Sequence, residues 1–229
     1  MNIESLNKAL HRREETEEHW ISLSDVLAGL MMVFLLIAIV YMLKVQAIAK
    51  DLKLLEIDLH NDLQNEFKDD FKKWNAVLDV LSIRFMEPKI LFEGGKDELK
   101  FKFKVILNKF IPRYLKIINS SKYRDEISEV RIEGHTSSDY YKLSPAEAYI
   151  ENMKLSQSRA KNTLVYIFKY IPEINQHKNW FRKHIAAIGL SSSRLIKSPA
   201  NIEDVRLSRR VEFKILLRSD EVISEIISM

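Results

Sequence analysis

The chain of 229 residues contains no cysteine, which excludes disulfide bonds, thiol catalysis and cysteine-ligated zinc. Its six histidines show no ligand spacing such as i, i+4, so no metal site is predicted. The net charge is only +4, with basic and acidic residues interspersed, which gives no case for a nucleic-acid partner. The sequence also lacks nuclease and ATPase motifs, and we expect neither a cofactor nor enzymatic activity.

One stretch without charge organises the chain. Residues 21–43, ISLSDVLAGLMMVFLLIAIVYML, have neither charge nor proline from position 26 onward. About 20 apolar residues cross the hydrocarbon core of a bilayer, and this helix is apolar on all sides. We therefore predict a transmembrane helix over residues 21–43, preceded by a polar tail at 1–20. A signal peptide fits poorly, because the apolar part is too long and no A-x-A cleavage site follows.

Asp25 lies at the N-terminal edge of this segment, and two interpretations of it are open. An ionisable side chain inside a membrane segment is costly, so it marks a functional site by default. Alternatively, Asp25 caps the helix at the lipid headgroups, where a carboxylate is favourable. Lysine and arginine residues flank both ends of the segment, so charge alone does not decide which end faces the cytoplasm.

A helical connector is predicted to follow over residues 44–84, since no glycine or proline interrupts residues 44–81. Its first half has a coiled-coil-like apolar stripe, which predicts pairing with a second copy of the chain. Its aromatic second half is predicted to pack on the C-terminal domain, and packing of the whole helix on that domain is the alternative. The predicted pairing stripe consists of Val45, Ile48, Leu52, Leu55 and Leu59.

Residues 85–217 form the predicted globular domain, and a tail follows at 218–229. Periodicity predicts strands at 89–93, 129–134, 184–188 and 210–217, helices at 99–117 and 153–170, and a short helix at 222–227. Pro112 should kink the first of these helices or start a new turn. A polar loop of about 15–20 residues precedes the second, which is long enough to indicate function. The alternation predicts helices packed on one face of a sheet.

One group of polar residues stands out in this domain. Gly134-His135-Thr136 ends a strand, and residues 152–160 are predicted to open a helix. Backbone N–H groups, the Asn152 amide and the Arg159 guanidinium would together suit a carboxylate ligand. The alternative is that Asn152 or Ser156 caps the helix and Arg159 forms a surface ion pair. A hydrolase that uses Ser156 and His135 is disfavoured, because no oriented triad is visible.

The segments GHT, N-x-x-LS-x-x-RA, IGLSSSR and SRRVEF together resemble the OmpA-like peptidoglycan-binding domain over residues 85–217. With one N-terminal membrane helix and its aspartate, the whole chain resembles the MotB class of stator subunits. Within this class, WISLSDVLAGLMMVFLLIAIVYM, RIEGHTSS and ENMKLSQSRA are most similar to the stator-like subunits of Zorya anti-phage systems. Flagellar MotB proteins usually have Ala-Asp-Phe around the aspartate and GHTD instead of GHTS.

The resemblance implies a single transmembrane α-helix, an α-helical connector and an α+β OmpA-like domain with helices packed on a mixed β-sheet. It implies that this domain binds the peptidoglycan stem peptide. Ser137 stands where the family has an aspartate that helps to hold diaminopimelate, and the nearest acid is Asp139. The implied peptidoglycan-binding residues are Asn152, Leu155, Arg159, Thr136, Ser137 and Asp139.

The resemblance also implies a role in an ion-driven motor of the bacterial inner membrane. Asp25 would be the ion-carrying residue, with a proton rather than sodium as the ion. A homodimer would sit inside a ring of about five copies of a multi-helix subunit of the ZorA or MotA kind. The N-terminus would be cytoplasmic and the C-terminal domain periplasmic. A flagellar-type stator protein and a static anchor from membrane to cell wall, without ion transport, are the alternatives.

Overall fold

The computed structural model describes residues 3–86, 88–140 and 142–218, with side chains described over 24–86, 90–140 and 142–218. The chain forms two compact units, Met1–Leu52 and Lys53–Met229. The short helix predicted at 222–227 lies outside the described residues.

Helix α1 (Ile3–Trp74) contains the apolar stretch of the first unit. Every residue from 24 to 43 is exposed, including Asp25 and large side chains such as Phe34 and Leu35. Among the described residues, this is the one helix long and apolar enough to cross a membrane. Such a continuous apolar surface is unfavourable in water, so lipid or a partner protein must cover it.

The last part of α1 belongs to the second unit, where it forms part of the core. Leu59, Leu63 and Phe67 are fully buried there, and Leu55 packs against them in part. The predicted pairing stripe is therefore wrong at Leu59. That residue is covered by its own domain and is not free to contact a second copy.

The predicted helix over residues 44–84 ends ten residues early, at Trp74. Asn75 adopts a left-handed conformation (φ 51°), which is a common way to end a helix. Strands β1 (Ala76–Asp79) and β2 (Ser82–Met86) then form an antiparallel hairpin with a turn of two residues. The domain thus includes residues before position 85.

The domain has a five-stranded mixed sheet in the order β1-β2-β5-β3-β4, with β3 (Ile127–His135), β4 (Ile185–Gly189) and β5 (Arg210–Leu217). Strands β3 and β4 are parallel, and the other neighbours are antiparallel. Three of the four predicted strands are confirmed. The strand expected at 89–93 is wrong, since a short helix α2 (Pro88–Leu91) occupies most of it. The run Ile90-Leu91-Phe92 is buried at every residue and does not alternate.

Helices α3 (Phe101–Ile118) and α4 (Pro145–Tyr170) are the long helices of the domain, and α5 (Lys178–His184) and α6 (Val205–Ser208) are short. Helix α3 continues through Pro112. Its buried face packs on the sheet through a cluster of aromatic side chains. The ring centroids of Phe85 and Phe213 lie 5.1 to 6.4 Å from those of their neighbours in this cluster. The predicted class, helices packed on a mixed sheet after a long apolar helix, is confirmed. The cluster contains Phe67, Trp74, Phe85, Phe103, Phe110 and Phe213.

Helix α4 begins eight residues earlier than predicted, at Pro145. Ser144 and Glu147 form a reciprocal capping box, and proline at the first helical position favours the same start. The preceding loop is therefore only residues 136–144. Asn152 and Arg159 lie inside the helix, so the prediction that helix N-terminal N–H groups join them is wrong. Those backbone groups at positions 152–159 are bonded within the helix.

Two glycines let α4 approach the sheet. Gly134 and Gly189 are paired at the ends of β3 and β4. A Cβ atom added to Gly134 would lie 2.2 Å from the Ser156 carbonyl oxygen, and one on Gly189 would lie 2.4 Å from the Gln157 nitrogen. The Gln157 side chain completes the contact, since it accepts from the Gly189 N–H (2.6 Å) and donates to the Ala187 carbonyl (3.1 Å).

Gly134→Ala should lower the free energy of unfolding by roughly 1–3 kcal/mol, because the new methyl group overlaps backbone that cannot move aside freely. Urea denaturation of the unit from Lys53 onward, followed by the fluorescence of the buried Trp74 and Trp180, measures this change. Gly94→Ala is the matched control, since a Cβ there meets nothing within 4 Å. An unchanged midpoint for Gly134→Ala would contradict the close approach of α4.

Candidate functional site

A pocket of about 340 Å³ opens where the loop after β3 meets α4. The structure brings all six predicted peptidoglycan-binding residues to its lining. It also adds four that the sequence argument missed as site residues: Gly94, Gly95, Tyr140 and Arg209. Arg209 lies in SRRVEF, so the motif offered a signal for it. The six predicted residues are Thr136, Ser137, Asp139, Asn152, Leu155 and Arg159.

Arg159 is a buried cation, with only 6% of its surface exposed. Its Nε donates to the Lys96 carbonyl (2.9 Å), Nη2 donates to the Glu93 carbonyl (3.3 Å), and its guanidinium lies 4.9 Å from the centre of the Phe92 ring. The alternative of a surface ion pair is therefore wrong. Burial, together with the nearby Arg209 charge, lowers the pKa of Arg159 to about 10, so it stays charged at neutral pH.

Asn152 ties the loop after β3 to α4. Its Nδ2 donates to the carbonyls of Ser137 (3.1 Å) and Asp139 (3.4 Å). The amide therefore holds the loop and does not cap a helix. Because α4 begins at Pro145, the alternative that Asn152 or Ser156 caps it is wrong.

Ser156 has a structural role. It is fully buried, its hydroxyl donates to the Met153 carbonyl (3.0 Å), and it accepts from the Ser191 N–H (3.0 Å). Gly134 faces α4 at Ser156, so the side chain of the next strand residue, His135, points to the opposite face of the sheet. Ser156 and His135 therefore do not form a nucleophile and its base. This agrees with the expectation from the sequence, which disfavoured a hydrolase.

The loop after β3 presents Thr136, Ser137 and Asp139 to the pocket. The Thr136 N–H donates to the Ser191 carbonyl (2.9 Å), and its buried hydroxyl has no hydrogen-bond partner among the described residues. Ser137 is 1% exposed and accepts from Arg209 Nε (2.8 Å). Arg209 Nη2 lies 4.0 Å from the Asp139 carboxylate. The pocket therefore contains two guanidinium groups and one acid.

A buried charge network lies on the opposite face of the sheet. Glu133 and Glu212 face each other across β3 and β5. Arg210 Nε and the Ser82 hydroxyl donate to Glu212, and Arg84 Nε lies 3.2 Å from it. Burial alone would raise the pKa of Glu212, but the Arg210 charge and the Ser82 hydrogen bond outweigh it and lower the pKa to about 2.

His135 joins this network, and burial lowers its pKa, so its ring is neutral at pH 7. Ligand atoms of His135, Glu133 and Glu212 lie within 4.8 Å of one another, close enough to surround a metal ion. The spacing in sequence gave no sign of this, because Glu212 is distant along the chain. Since Arg210 and Arg84 already neutralise Glu212, we interpret the group as a buried ion network and not as a metal site.

The chain is similar to several known proteins, and these similarities identify its family. No protein-family model matches the chain. Among solved structures, a putative MotB-like protein from Desulfovibrio vulgaris is 20% identical with a TM-score of 0.47, over 70% of this chain and 90% of that one. The cell wall anchor of the T6SS from Pseudomonas aeruginosa is 19% identical with a TM-score of 0.46, over 68% and 96% of the two chains.

The sequence similarity to one curated protein is much more extensive. Zorya protein ZorB from Escherichia coli (strain Crooks) is 40% identical over 232 residues, which covers 97% of each chain. The match includes the apolar helix as well as the domain with the pocket. Similarity of this degree over nearly the whole of both chains shows a common family, and the chain belongs to the ZorB family.

Proposed function

We propose that this chain is a stator subunit of a Zorya anti-phage system, fixed to peptidoglycan by its domain and to the inner membrane by α1. Membership of the ZorB family supports this proposal. The observation that carries it is the buried, charged Arg159 at a pocket of about 340 Å³, in the same chain as an exposed apolar helix. A domain that grips a carboxylate and a helix that spans a bilayer together make a link from wall to membrane.

The pocket supports carboxylate binding through its donors. Carbonyls of Glu93 and Lys96 fix the Arg159 guanidinium in place, so little side-chain entropy is lost when a ligand binds. Its partial removal from water strengthens its attraction for an anion. The Thr136 hydroxyl offers a second donor, and Leu155 offers apolar surface. Stem peptides of peptidoglycan present free carboxylates of the kind that this arrangement suits.

Ion transport is the second part of the proposal. Asp25 lies at the start of the apolar stretch, in a position to take up and release a proton. Protonation removes one charge, which changes the contacts that the helix prefers with a surrounding ring. Two copies of the chain would sit inside a ring of a multi-helix partner of the ZorA kind, in about five copies. With the domain held in the periplasm by the wall, the ring would turn while this chain stays fixed.

A static anchor is the competing function, because wall binding and a membrane helix suffice for it. It needs no ion-carrying residue, and Asp25 would then be a helix cap at the membrane edge. A flagellar-type stator would share the mechanics of the motor and differ only in its output. Neighbouring genes distinguish that case.

Arg159→Ala should weaken binding to peptidoglycan by about ten- to a hundredfold, because it removes a hydrogen-bonding charge from the pocket. Co-sedimentation of the unit from Lys53 onward with purified peptidoglycan measures the change. Lys154→Ala on the same helix is the control, since Lys154 is exposed and pairs with Glu151. A melting curve must show that the Arg159→Ala unit is folded. Unchanged co-sedimentation of a folded Arg159→Ala unit would remove this residue from the site.

Pairing of two copies should occur along the exposed part of the stripe. Ile48→Cys, at a position 54% exposed, should give disulfide-linked dimers under mild oxidation in this cysteine-free chain. Leu59→Cys should not, because Leu59 is buried in its own domain. Lys53→Cys is the exposed control away from the stripe. If Lys53→Cys and Ile48→Cys form dimers equally, no specific seam exists.

Asp25→Asn should abolish phage protection while membrane insertion and assembly with the ring partner persist. Asparagine keeps the size and caps a helix about as well as aspartate, but it does not titrate. Plaque assays and pull-down of the partner measure the two properties. Asp25→Glu keeps the carboxylate and should retain partial protection. Full protection by an assembled Asp25→Asn complex would refute ion transport through this residue and favour the static anchor.

A further inference from the structure

The two long helices of the domain are basic on their outer side. Helix α3 contains lysines and Arg113 but no acid, and α4 contains no acid after Glu151. Arg113 is paired with Glu66 and Asp70 of α1. Most of the exposed lysines form no ion pair with any described residue, so their charges face solvent. These unpaired lysines are Lys102, Lys109, Lys116, Lys161 and Lys169.

The outer side of these helices is continuous with the pocket. Arg159 lines the pocket, and Asn162 and Tyr166 follow it at helical spacing on the same side of α4. Asn162 Nδ2 donates to the Asp97 carbonyl just before α3 (3.0 Å), and the Tyr166 hydroxyl donates to Asn108 Oδ1 within α3 (3.1 Å). The two helices therefore lie side by side, and the surface that they share begins at the pocket.

Aromatic rings are exposed on this shared surface. Phe101 is 81% exposed and Tyr170 is 56% exposed. Phe101 lies seven residues before Asn108 on α3, so it is on the side of that helix that meets α4. The Tyr170 ring lies 5.1 Å from the Tyr166 ring, centre to centre. Exposed rings beside unpaired lysines are typical of an interaction surface rather than of a solvated helix face.

This surface suits a polymer that carries both acids and apolar ring faces. Lysines attract carboxylates, and exposed aromatic rings pack on the C–H faces of sugar rings. Peptidoglycan has both, since its stem peptides carry carboxylates and its glycan strand consists of sugars. We call this surface the α3–α4 face and define it by Phe101, Lys102, Lys109, Lys161, Lys169 and Tyr170.

Continuity with the pocket decides between peptidoglycan and an unrelated anionic partner. A single exposed contact between lysine and carboxylate is weak and is screened by salt. A strand that is already held at the pocket presents its neighbouring stems to the α3–α4 face at a high effective concentration. Several weak contacts then add to the affinity, which they would not do for a partner that binds the face alone.

We propose that the α3–α4 face is a second contact surface for peptidoglycan, which holds the strand beyond the stem peptide that occupies the pocket. The inference rests on the proposed peptidoglycan binding and adds a separate surface to it. The lysines contact carboxylates of neighbouring stems, and Phe101 and Tyr170 pack on sugar rings. Binding to the intact wall therefore depends on salt more strongly than binding of one soluble stem peptide does.

A triple variant, Lys109→Gln with Lys161→Gln and Lys169→Gln, tests the charged part in the full-length chain in detergent. Co-sedimentation with intact peptidoglycan should be about tenfold weaker than for the wild type at low salt, and the two should converge at high salt. Titration calorimetry with a soluble disaccharide tripeptide should give an unchanged Kd, because a single stem reaches only the pocket. All three lysines are exposed, so the domain keeps its fold.

Phe101→Gln tests the aromatic part. It should weaken co-sedimentation with intact peptidoglycan by about three- to tenfold, because the ring contact with a sugar is lost. This loss should persist at high salt, since ions do not screen an apolar contact. The Kd for the soluble disaccharide tripeptide should again be unchanged.

The matched control removes the same charge from other helices. Lys68→Gln with Lys73→Gln and Lys183→Gln changes three exposed lysines of α1 and α5. Co-sedimentation of this control variant should stay within about twofold of the wild type at both salt concentrations. An equal loss in the control and in the α3–α4 variant would show that only net charge matters, which overturns the inference.

The remaining outcomes separate the inference from the function on which it rests. If the triple variant and Phe101→Gln bind intact peptidoglycan like the wild type at low salt, the inference is overturned and pocket binding stands. A smaller particle mass of these variants in light scattering would then show that the face contacts a second copy instead. If the variants also lose the soluble stem peptide, the face is not a separate surface. If the wild type binds neither probe, the proposed function fails and the inference fails with it.

Discussion

The site depends on one close contact, that of the α4 backbone with the ends of β3 and β4 at Gly134 and Gly189. Side chains at these positions would overlap the backbone at Ser156 and Gln157. Hydrogen bonds then lock the contact, from Ser191 to Ser156 and from Thr136 back to the Ser191 carbonyl. Asn152 and Arg159 lie one turn to either side of Ser156, so the packing of glycine against helix places both at the strand end. The pocket is in this sense a consequence of how α4 sits on the sheet.

Local patterns predicted much of this fold and failed at identifiable places. Strand β5 alternates cleanly, and α3 has a continuous apolar face, so both were predicted nearly to the residue. The start of α4 was missed although Ser144-Pro145-Ala146-Glu147 is a capping-box sequence. The β1–β2 hairpin was missed because its turn, Val80-Leu81, contains none of the usual turn residues. In this segment the apolar residues keep a helical spacing, so the sequence predicted that the helix continues.

The chemistry of the site was predictable only in part. The motifs placed Asn152, Leu155 and Arg159 together, but not the burial of Arg159 against carbonyls and the Phe92 ring. The contact of Arg209 with Ser137 joins residues 72 apart in sequence, and no periodicity reports such a contact. The same reason applies to Leu59, whose spacing fits a pairing stripe while its burial depends on distant parts of the domain. The local sequence thus predicts which segments are helices or strands and which residues belong to the motifs. The balance of charges in the pocket depends on contacts between residues far apart in the chain, so it can be read only from the folded structure.

The pocket is proposed to bind peptidoglycan through Arg159, which would hold a carboxylate of the stem peptide. A crystal structure of the unit from Lys53 onward, grown with a disaccharide tripeptide, tests it directly. We expect a ligand carboxylate oxygen within about 3 Å of the Arg159 guanidinium, with the ligand lying between Leu155 and the loop after β3. A ligand bound elsewhere on the domain, or one in the pocket that does not touch Arg159, would show that Arg159 does not hold the stem peptide.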